Sequence, residues 1–436
     1  MSNKKGLLAL SPLFLLIVMI AIFTAYSAGN AHENTNLSLT VAFMFSSIYA
    51  VAISGGMPIK KRIDTYSRGA GASNLMLMLW IYVLAGTFAA SAKAMGAVDA
   101  TVNFALSILP ASMILPGLFL AACFISLSIG TSVGTIVALV PIAAGLAHSV
   151  DANLALTVAI IVGGAYFGDN LSFISDTTVV ATQTQGCRMS DKFRVNALIV
   201  IPAAIIILII YSVLGAGTKA PTHVGEVEYI KVLPYIVVLV TAIAGMNVMA
   251  VLTLGTILCG IIGVIGNQIG LSHSYGIFGW FSAMGDGVTG MGELIIIAMM
   301  AGGMLEIIRE NGGINFIIDK ITAHVGSKRG AELSIAALVS LVNICTANNT
   351  VAILTVGNIS KKIGDKFGVD NRKAASILDT FSCTVQGLIP YGVQMLLAAG
   401  LSGLSPLAII PYLYYPMAIG IAALLAIAFR YPKKFS

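Results

Sequence analysis

The chain has 436 residues, 58% of them hydrophobic and only 10% charged, with a mean hydropathy of +0.95. About 20 apolar residues cross the hydrocarbon core as a helix that satisfies its own backbone, so this composition marks an all-α polytopic membrane protein; the short alternating strands of a β-barrel are excluded. The formal charge of +6 sits in short loops and reads as topology determinants, with no nucleic-acid partner implied, and five cysteines at no metal-ligand spacing read as reduced packing residues.

Met1-Ser-Asn-Lys-Lys5 precedes the apolar run 7–28, which is longer than the roughly 7–15 residues of a signal-peptide core and is expected to remain as the first span. Basic groups at Lys4/Lys5, 60–68, 188–194, 309–329, 361–373 and 430–434 mark cytoplasmic ends and put both termini inside. The stretches 29–36, 97–101 and 216–229 are placed outside. Runs 37–53 and 74–95 are spans. The shorter pieces 113–129 and 135–148 must enter and leave on the outer side, as a re-entrant hairpin or two short spans. The stretch 154–186 runs inward through a polar segment, and 197–214 returns outward.

The second half repeats this upside down: 232–245, 248–265 and 293–308, a hairpin of 333–345 plus 351–359, a broken polar stretch 374–399, and 407–429. Corresponding pieces lie about half a chain apart with opposite orientation, the pattern of inverted repeats whose broken helices meet near the bilayer midplane. The division expected is 1–215 as first repeat, 216–231 as external linker and 232–436 as second repeat, each with a re-entrant hairpin and a broken transmembrane helix. Segment 315–324 reads as an interfacial amphipathic helix.

Four polar breaks form the candidate ion- or substrate-binding site. Thr131-Ser132-Val-Gly-Thr135 and Thr346-Ala-Asn348-Asn349-Thr350 are expected at equivalent hairpin tips, each with threonine at both ends. Hydroxyl and amide oxygens there suit Na⁺, and the helix starting after each tip directs N–H groups at an anion. The plain alternative is hydroxyls bonded within their own helix. Gly168-Asp169-Asn170-Leu-Ser172-Phe-Ile-Ser175-Asp176-Thr177-Thr178 puts two carboxylates directly after an apolar run. A charged Asp at membrane depth costs roughly 2.5–3.5 kcal/mol, which usually marks an ion or solute path. Such a carboxylate can bind Na⁺ and H⁺ in turn; Asp176 could instead cap a helix resuming at Thr177. Asp379, Ser382, Thr384 and Gln386 occupy the equivalent stretch of the second half. The Na⁺ site is expected among Asp169, Asp176, Asn348 and Thr350. Glu306 is expected to pair with Arg309, Glu293 to lie at a water interface, Asp286 in an exposed turn, and His148 and His324 at the surface. Tyr412, Tyr414 and Tyr415, with Trp80 and Trp280, read as an interfacial belt.

At 167–178 the chain resembles the NhaC-type sodium/proton antiporter family, in which Gly-Asp-x-x-Ser-x-x-Ser-Asp-Thr-Thr is typical. Asn348-Asn349-Thr350 is similar to the Ser-Asn-Thr-like tips of the wider ion transporter superfamily, from which Ser132-Val-Gly-Thr135 departs. The resemblance implies a dimerising scaffold and a transport part that moves elevator-fashion. Together these readings predict a sodium-coupled secondary transporter of the bacterial inner membrane, a homodimer exchanging Na⁺ for H⁺, with Na⁺ and H⁺ as its ions and no cofactor. The alternative is a coupled carrier of a small organic acid or amino acid. No catalytic residue is assigned, since metallopeptidase, serine-hydrolase and phosphate-loop patterns are missing.

Overall fold

The computed structural model describes residues 3–29, 39–218, 225–268, 275–323 and 325–435, and among them all regular structure is helical. Ten of these helical stretches are long and apolar enough to cross a membrane, or up to 11 when Pro406–Tyr412 and Tyr414–Ala428, bent by 52°, count as one span. His324, and much of the stretches expected outside, lie beyond the described residues.

The first half runs α1 (Asn3–Gly29), α2 (Leu39–Ile53), α3 (Ile59–Ala70), α4 (Ser73–Ala94), α5 (Ala97–Ile108), α6 (Ile114–Ile129), α7 (Ser132–Ser149), α8 (Leu154–Leu171), α9 (Asp176–Gln185) and α10 (Met189–Ala216). The second runs α11 (Tyr229–Ile243), α12 (Val248–Gln268), α13 (Ile277–Gly290), α14 (Gly292–Glu310), α15 (Gly313–Thr322), α16 (Lys328–Thr346), α17 (Asn349–Phe367), α18 (Asn371–Leu388), α19 (Val393–Ser402), α20 (Pro406–Ile409) and α21 (Tyr414–Ala428). Helices α6 and α7 pack on α8, as α16 and α17 pack on α18. A second group joins α4 to α12 and α13, and α14 to α2 and α3. Helix α19 bridges the groups by packing on both α7 and α4.

Three connections expected as loops are helical. The basic stretch 60–68 forms α3, whose charge conceals it from a hydropathy reading while Thr65, Gly69 and Ala70 bury one face. The stretch 97–101, expected outside, opens α5, at 12 residues about 18 Å long and too short to span. Asp286 is exposed as expected, but on α13 and not in a turn. The aromatic belt also loses a member, for Tyr415 is fully buried against Gly163 of α8.

The hairpin tips match in a register different from the one the threonines suggest. Helices α6 and α16 end on left-handed residues, Gly130 (φ 74°) and Ala347 (φ 50°). The next residues, Thr131 (φ −144°) and Asn348 (φ −148°), are extended and open α7 and α17. The same shift along the chain that carries Gly130 onto Ala347 carries the cap Asn153 of α8 onto the cap Asp370 of α18, and the left-handed Gly186 onto the left-handed Gly403. Thr135 and Thr350 are therefore not counterparts: in this register Thr135 matches Ala352, and Thr350 matches Val133. Backbone conformation at the break sets the register, and a threonine one turn away does not.

Candidate functional site

Where α8 stops, its last carbonyls lack helical partners, and the polar residues that follow supply them. Asp169 O accepts from the hydroxyls of Thr177 and Thr178, both at 3.3 Å, across the break of 172–175. Asn170 O accepts from Lys192 Nζ at 2.6 Å and from Asn196 Nδ2 at 3.0 Å. The last turn of α8 is thereby held, and with it the Asp169 side chain. Its Oδ1 accepts from the backbone N–H of Ser132 at 3.1 Å, so a carboxylate sits on the positive end of α7.

The second half reaches the same point with amides. Gln386 Nε2 donates to Ala347 O at 3.0 Å and to Gln394 Oε1 at 3.1 Å, and Gln394 Nε2 donates to Ser132 Oγ at 3.1 Å. One tip is thus hydrogen-bonded through two glutamines to the other. Asn348 caps α17 by accepting from Val351 N at 2.9 Å.

Both tips line one cavity of about 240 Å³. From the first half it takes Thr131, Ser132, Asp169, Ser175, Asp176 and Thr177; from the second, Asn348, Asn349, Thr350 and Gln386. Asp169 is 4% exposed, whereas Asp176 is exposed at the mouth as the first residue of α9. The break between the two Asp residues removes the single helical face that their spacing suggests. Gln394 and Asn74 also line the cavity. Gln394 is the counterpart of Thr177, a signal visible only in the corrected register.

The other candidate residues lie elsewhere. The hydroxyl of Thr135 donates to Thr131 O, that of Ser172 to Leu127 O, that of Ser382 to Asp379 O and that of Thr384 to Thr380 O, so each serves its own helix or its neighbour. Asn170 is fully buried and its amide donates to Tyr166 O. Thr346 lines an adjoining cavity of about 290 Å³. Asp379 does not line the cavity either. Its Oδ2 lies 2.5 Å from Lys192 Nζ, and both side chains are buried at 0% and 1% exposure. Lys192, expected as an inner-loop charge, also donates to Thr178 Oγ1 at 2.7 Å. Lys373 is likewise buried, 3.2 Å from Glu332. Loop position foretold the sign of these charges but not their burial.

Asp169 makes no ion pair with a basic side chain among the described residues. The adjoining cavity shares Asn74, Met78, Asn348, Val351 and Val393 with the site and extends to Glu306 and Arg309. Glu306 pairs with Arg309 at 3.1 Å as expected, and with Arg68 of α3 at 3.1 Å as well. Glu293 accepts from Thr40 at 2.7 Å. A third cavity, of about 510 Å³ and bordered by Lys93, Asp99 and His148, shares no lining residue with the site.

A family profile described as the Na⁺/H⁺ antiporter family matches residues 6–216 and 217–433, nearly the whole chain. The chain belongs to the Na⁺/H⁺ antiporter family. The NhaC-type resemblance drawn from 167–178 is borne out, and this antiporter-family chain is a membrane transporter. It is 23% identical to the malate-2H⁺/Na⁺-lactate antiporter of Bacillus subtilis (strain 168) over 98% of this chain and 96% of that one. It is 24% identical to the Na⁺/H⁺ antiporter NhaC of the same organism over 84% and 85% of the two chains. The crystal structure of the Alcanivorax borkumensis YdaH transporter covers 90% of this chain and 99% of its own at 12% identity, with a TM-score of 0.42.

Proposed function

We propose that the chain exchanges Na⁺ for H⁺ at Asp169. The observation that carries this is a buried carboxylate that lines the cavity between both hairpin tips and lacks a basic partner among the described residues, while Asp379 has its charge offset by Lys192. A carboxylate so placed binds either ion and cannot hold both, which is the coupling an exchanger needs. Neutral oxygens of Asn348, Thr350 and Asp176's neighbours Ser175 and Thr177 complete a hard-oxygen surface for Na⁺.

In this reading α6–α10 and α16–α21 form the transport part of two inverted repeats, 1–215 and 232–436, joined by 216–231. The recurrence of helix breaks at one constant shift, Gly130 to Ala347 and Gly186 to Gly403, supports it. The part slides elevator-fashion past α1–α4 and α12–α15 in a homodimer of the inner membrane, with both termini cytoplasmic. The cavity's continuity with the one reaching Glu306 and Arg309, at an end rich in basic residues, corresponds to an inward-open site.

The test is Na⁺-driven pH change in proteoliposomes. Asp169→Asn is expected to abolish exchange while the protein still inserts and purifies as a monodisperse species, because the amide is cheaper to bury than the carboxylate. In wild-type protein the apparent Na⁺ affinity is expected to weaken as pH falls, since proton and sodium compete. Normal coupled flux in Asp169→Asn would remove this residue from the mechanism.

A further inference from the structure

The two halves of the molecule repeat their backbone but not their interior. The shift that carries Gly130 onto Ala347 also carries Ser126 onto Asn343 and Ala165 onto Ser382. Ser126 Oγ donates to Ala165 O at 2.6 Å, and Asn343 Nδ2 donates to Ser382 O at 2.8 Å, so the register holds for side-chain hydrogen bonds as well. In it the Asp169 carboxylate, seated on the N-terminus of α7, has the neutral Gln386 as its counterpart.

A larger difference lies behind the cavity wall. Lys192 and Asn196 of α10 meet Ser376 and Asp379 of α18, all four fully buried and none of them lining the cavity. Their counterparts are Ile409, Leu413, Ala159 and Val162, every one apolar and equally buried. Helix α20 and the helical turn 410–412 pack on α8, as α10 packs on α18. One packing position is thus filled with hydrocarbon in the second half and with an ion pair in the first. Apolar groups of similar volume stabilise a fold as well as a buried pair does, so packing alone does not require Lys192 and Asp379.

The contacts of Lys192 converge on Asp169. An ammonium has three N–H donors, and here they reach Asn170 O at 2.6 Å, Thr178 Oγ1 at 2.7 Å and Asp379 Oδ2 at 2.5 Å. The first two acceptors lie on opposite sides of the break between α8 and α9. Thr178 Oγ1 in turn donates to Asp169 O at 3.3 Å, and Asn196 Nδ2 adds a second bond to Asn170 O at 3.0 Å. Asp379 offsets the ammonium charge and ties it to α18. The backbone that carries the Asp169 side chain is therefore held from α9, α10 and α18 together.

We propose that Lys192 and Asp379 are positioning residues for Asp169, keeping its carboxylate rigid at the tip of α7 so that the site selects Na⁺ over the larger K⁺. Oxygens that cannot move to suit a larger ion discriminate by size, whereas mobile ones do not. This rests on the assignment of the cation to Asp169, and the variants below separate the two.

The test compares Lys192→Met/Asp379→Leu, which removes the pair without leaving a lone charge, with Thr178→Val, which keeps the pair but cuts its link to Asp169 O, and with Thr178→Ser, which keeps the hydroxyl. Isothermal titration of the purified full chain with Na⁺ and with K⁺ gives the affinities, proteoliposomes give KM and maximal rate for Na⁺-driven pH change, and melting temperature controls for folding. The double variant and Thr178→Val are expected to raise the KM for Na⁺ about tenfold or more, the usual loss when a partner that orients a cation ligand is removed, and to lower the ratio of Na⁺ to K⁺ affinity. Thr178→Ser is expected to stay near wild type in both. Wild-type KM and Na⁺/K⁺ ratio in a folded double variant overturn the inference, and so do wild-type values in Thr178→Val should the double variant not fold. A lower maximal rate with KM and ratio unchanged also overturns it, since the network would then serve the fold alone. If Asp169→Asn abolishes exchange in the same assay while these variants keep wild-type values, only the positioning role fails; if Asp169→Asn exchanges normally, the assignment of the cation to Asp169 fails with it.

Discussion

At the residue scale, side chains that close helix ends carry much of the local order. Asp370 caps α18 by accepting from Arg372 N at 2.8 Å, and its carboxylate also takes the Arg372 guanidinium at 2.6 Å. That hydrogen-bonded guanidinium holds the Asp370 carboxyl below the usual carboxylate range. A carboxyl whose folded pKa is depressed stabilises the fold above its unfolded pKa of about 3.9 and loses that contribution as pH falls through the folded value. Asp370→Ala is therefore expected to cost ~1 kcal/mol at neutral pH, a typical capping loss, and progressively less below about pH 4. Thermal melts in detergent across that range check it, and an equal loss at all pH values would refute the ionic part. Asn153, the counterpart cap on α8, accepts from Leu156 N without a charge and carries no such pH dependence.

At the element scale, the break between α8 and α9 is the device on which the site depends. An intact helix would bury its own carbonyls; the broken one presents Asp169 O and Asn170 O to side chains from α9 and α10. The close approach of α8 to α6 is possible because residue 168 is glycine, where a Cβ would collide with the Ser126 side chain and backbone. Lys192, Asn196, Ser376 and Asp379 then join α10 to α18 behind the cavity wall, with Ser376 bonded to the Asn196 side chain. Removing one member of a buried ion pair leaves an uncompensated charge and costs about 3–5 kcal/mol, while replacing both by apolar groups is often near neutral. Lys192→Met is expected to destabilise by that amount, and Lys192→Met/Asp379→Leu to recover most of it. Denaturation of the three proteins in detergent decides the point; a double variant as unstable as the single one would show that Lys192 acts through Asn170 O and Thr178, not through Asp379.

At the scale of the whole molecule, α4 and α17 both line the cavity, with Leu77 and Leu354 as apolar members of its wall. If the hairpins move as one part past α4, tethering these two positions must stop transport. In a background without the native cysteines, Leu77→Cys/Leu354→Cys joined by a short bifunctional thiol reagent is expected to lose nearly all Na⁺-driven pH change. Cleaving the tether should restore it. Full activity with the tether in place would mean that the tips open locally while the helices stay put.

Features legible in the amino-acid chain alone trace back to the cost of placing groups in hydrocarbon. The all-helical class, most spans, two hairpins each followed by a broken polar stretch, and Asp169 as one of three candidate carboxylates were readable because apolar runs and misplaced polar residues are expensive and local. Even the wall of the cavity was largely visible, from Thr131, Ser132 and Asp176 to Asn348, Asn349 and Gln386. Long-range packing settled the remainder. Lys192 and Lys373 resemble loop charges until the fold surrounds them, since burial depends on which helix packs over a residue and not on its neighbours in the chain. Asp379 lies in as polar a stretch as Asp169, yet a lysine from the opposite half of the chain takes its charge. Helices α3 and α5 were hidden because one is too charged and the other too short for hydropathy to register. The pairing of Asp169 with Gln386, and hence the uneven charge of two matching helix ends, emerged from backbone angles at Gly130 and Ala347 that no side-chain pattern records.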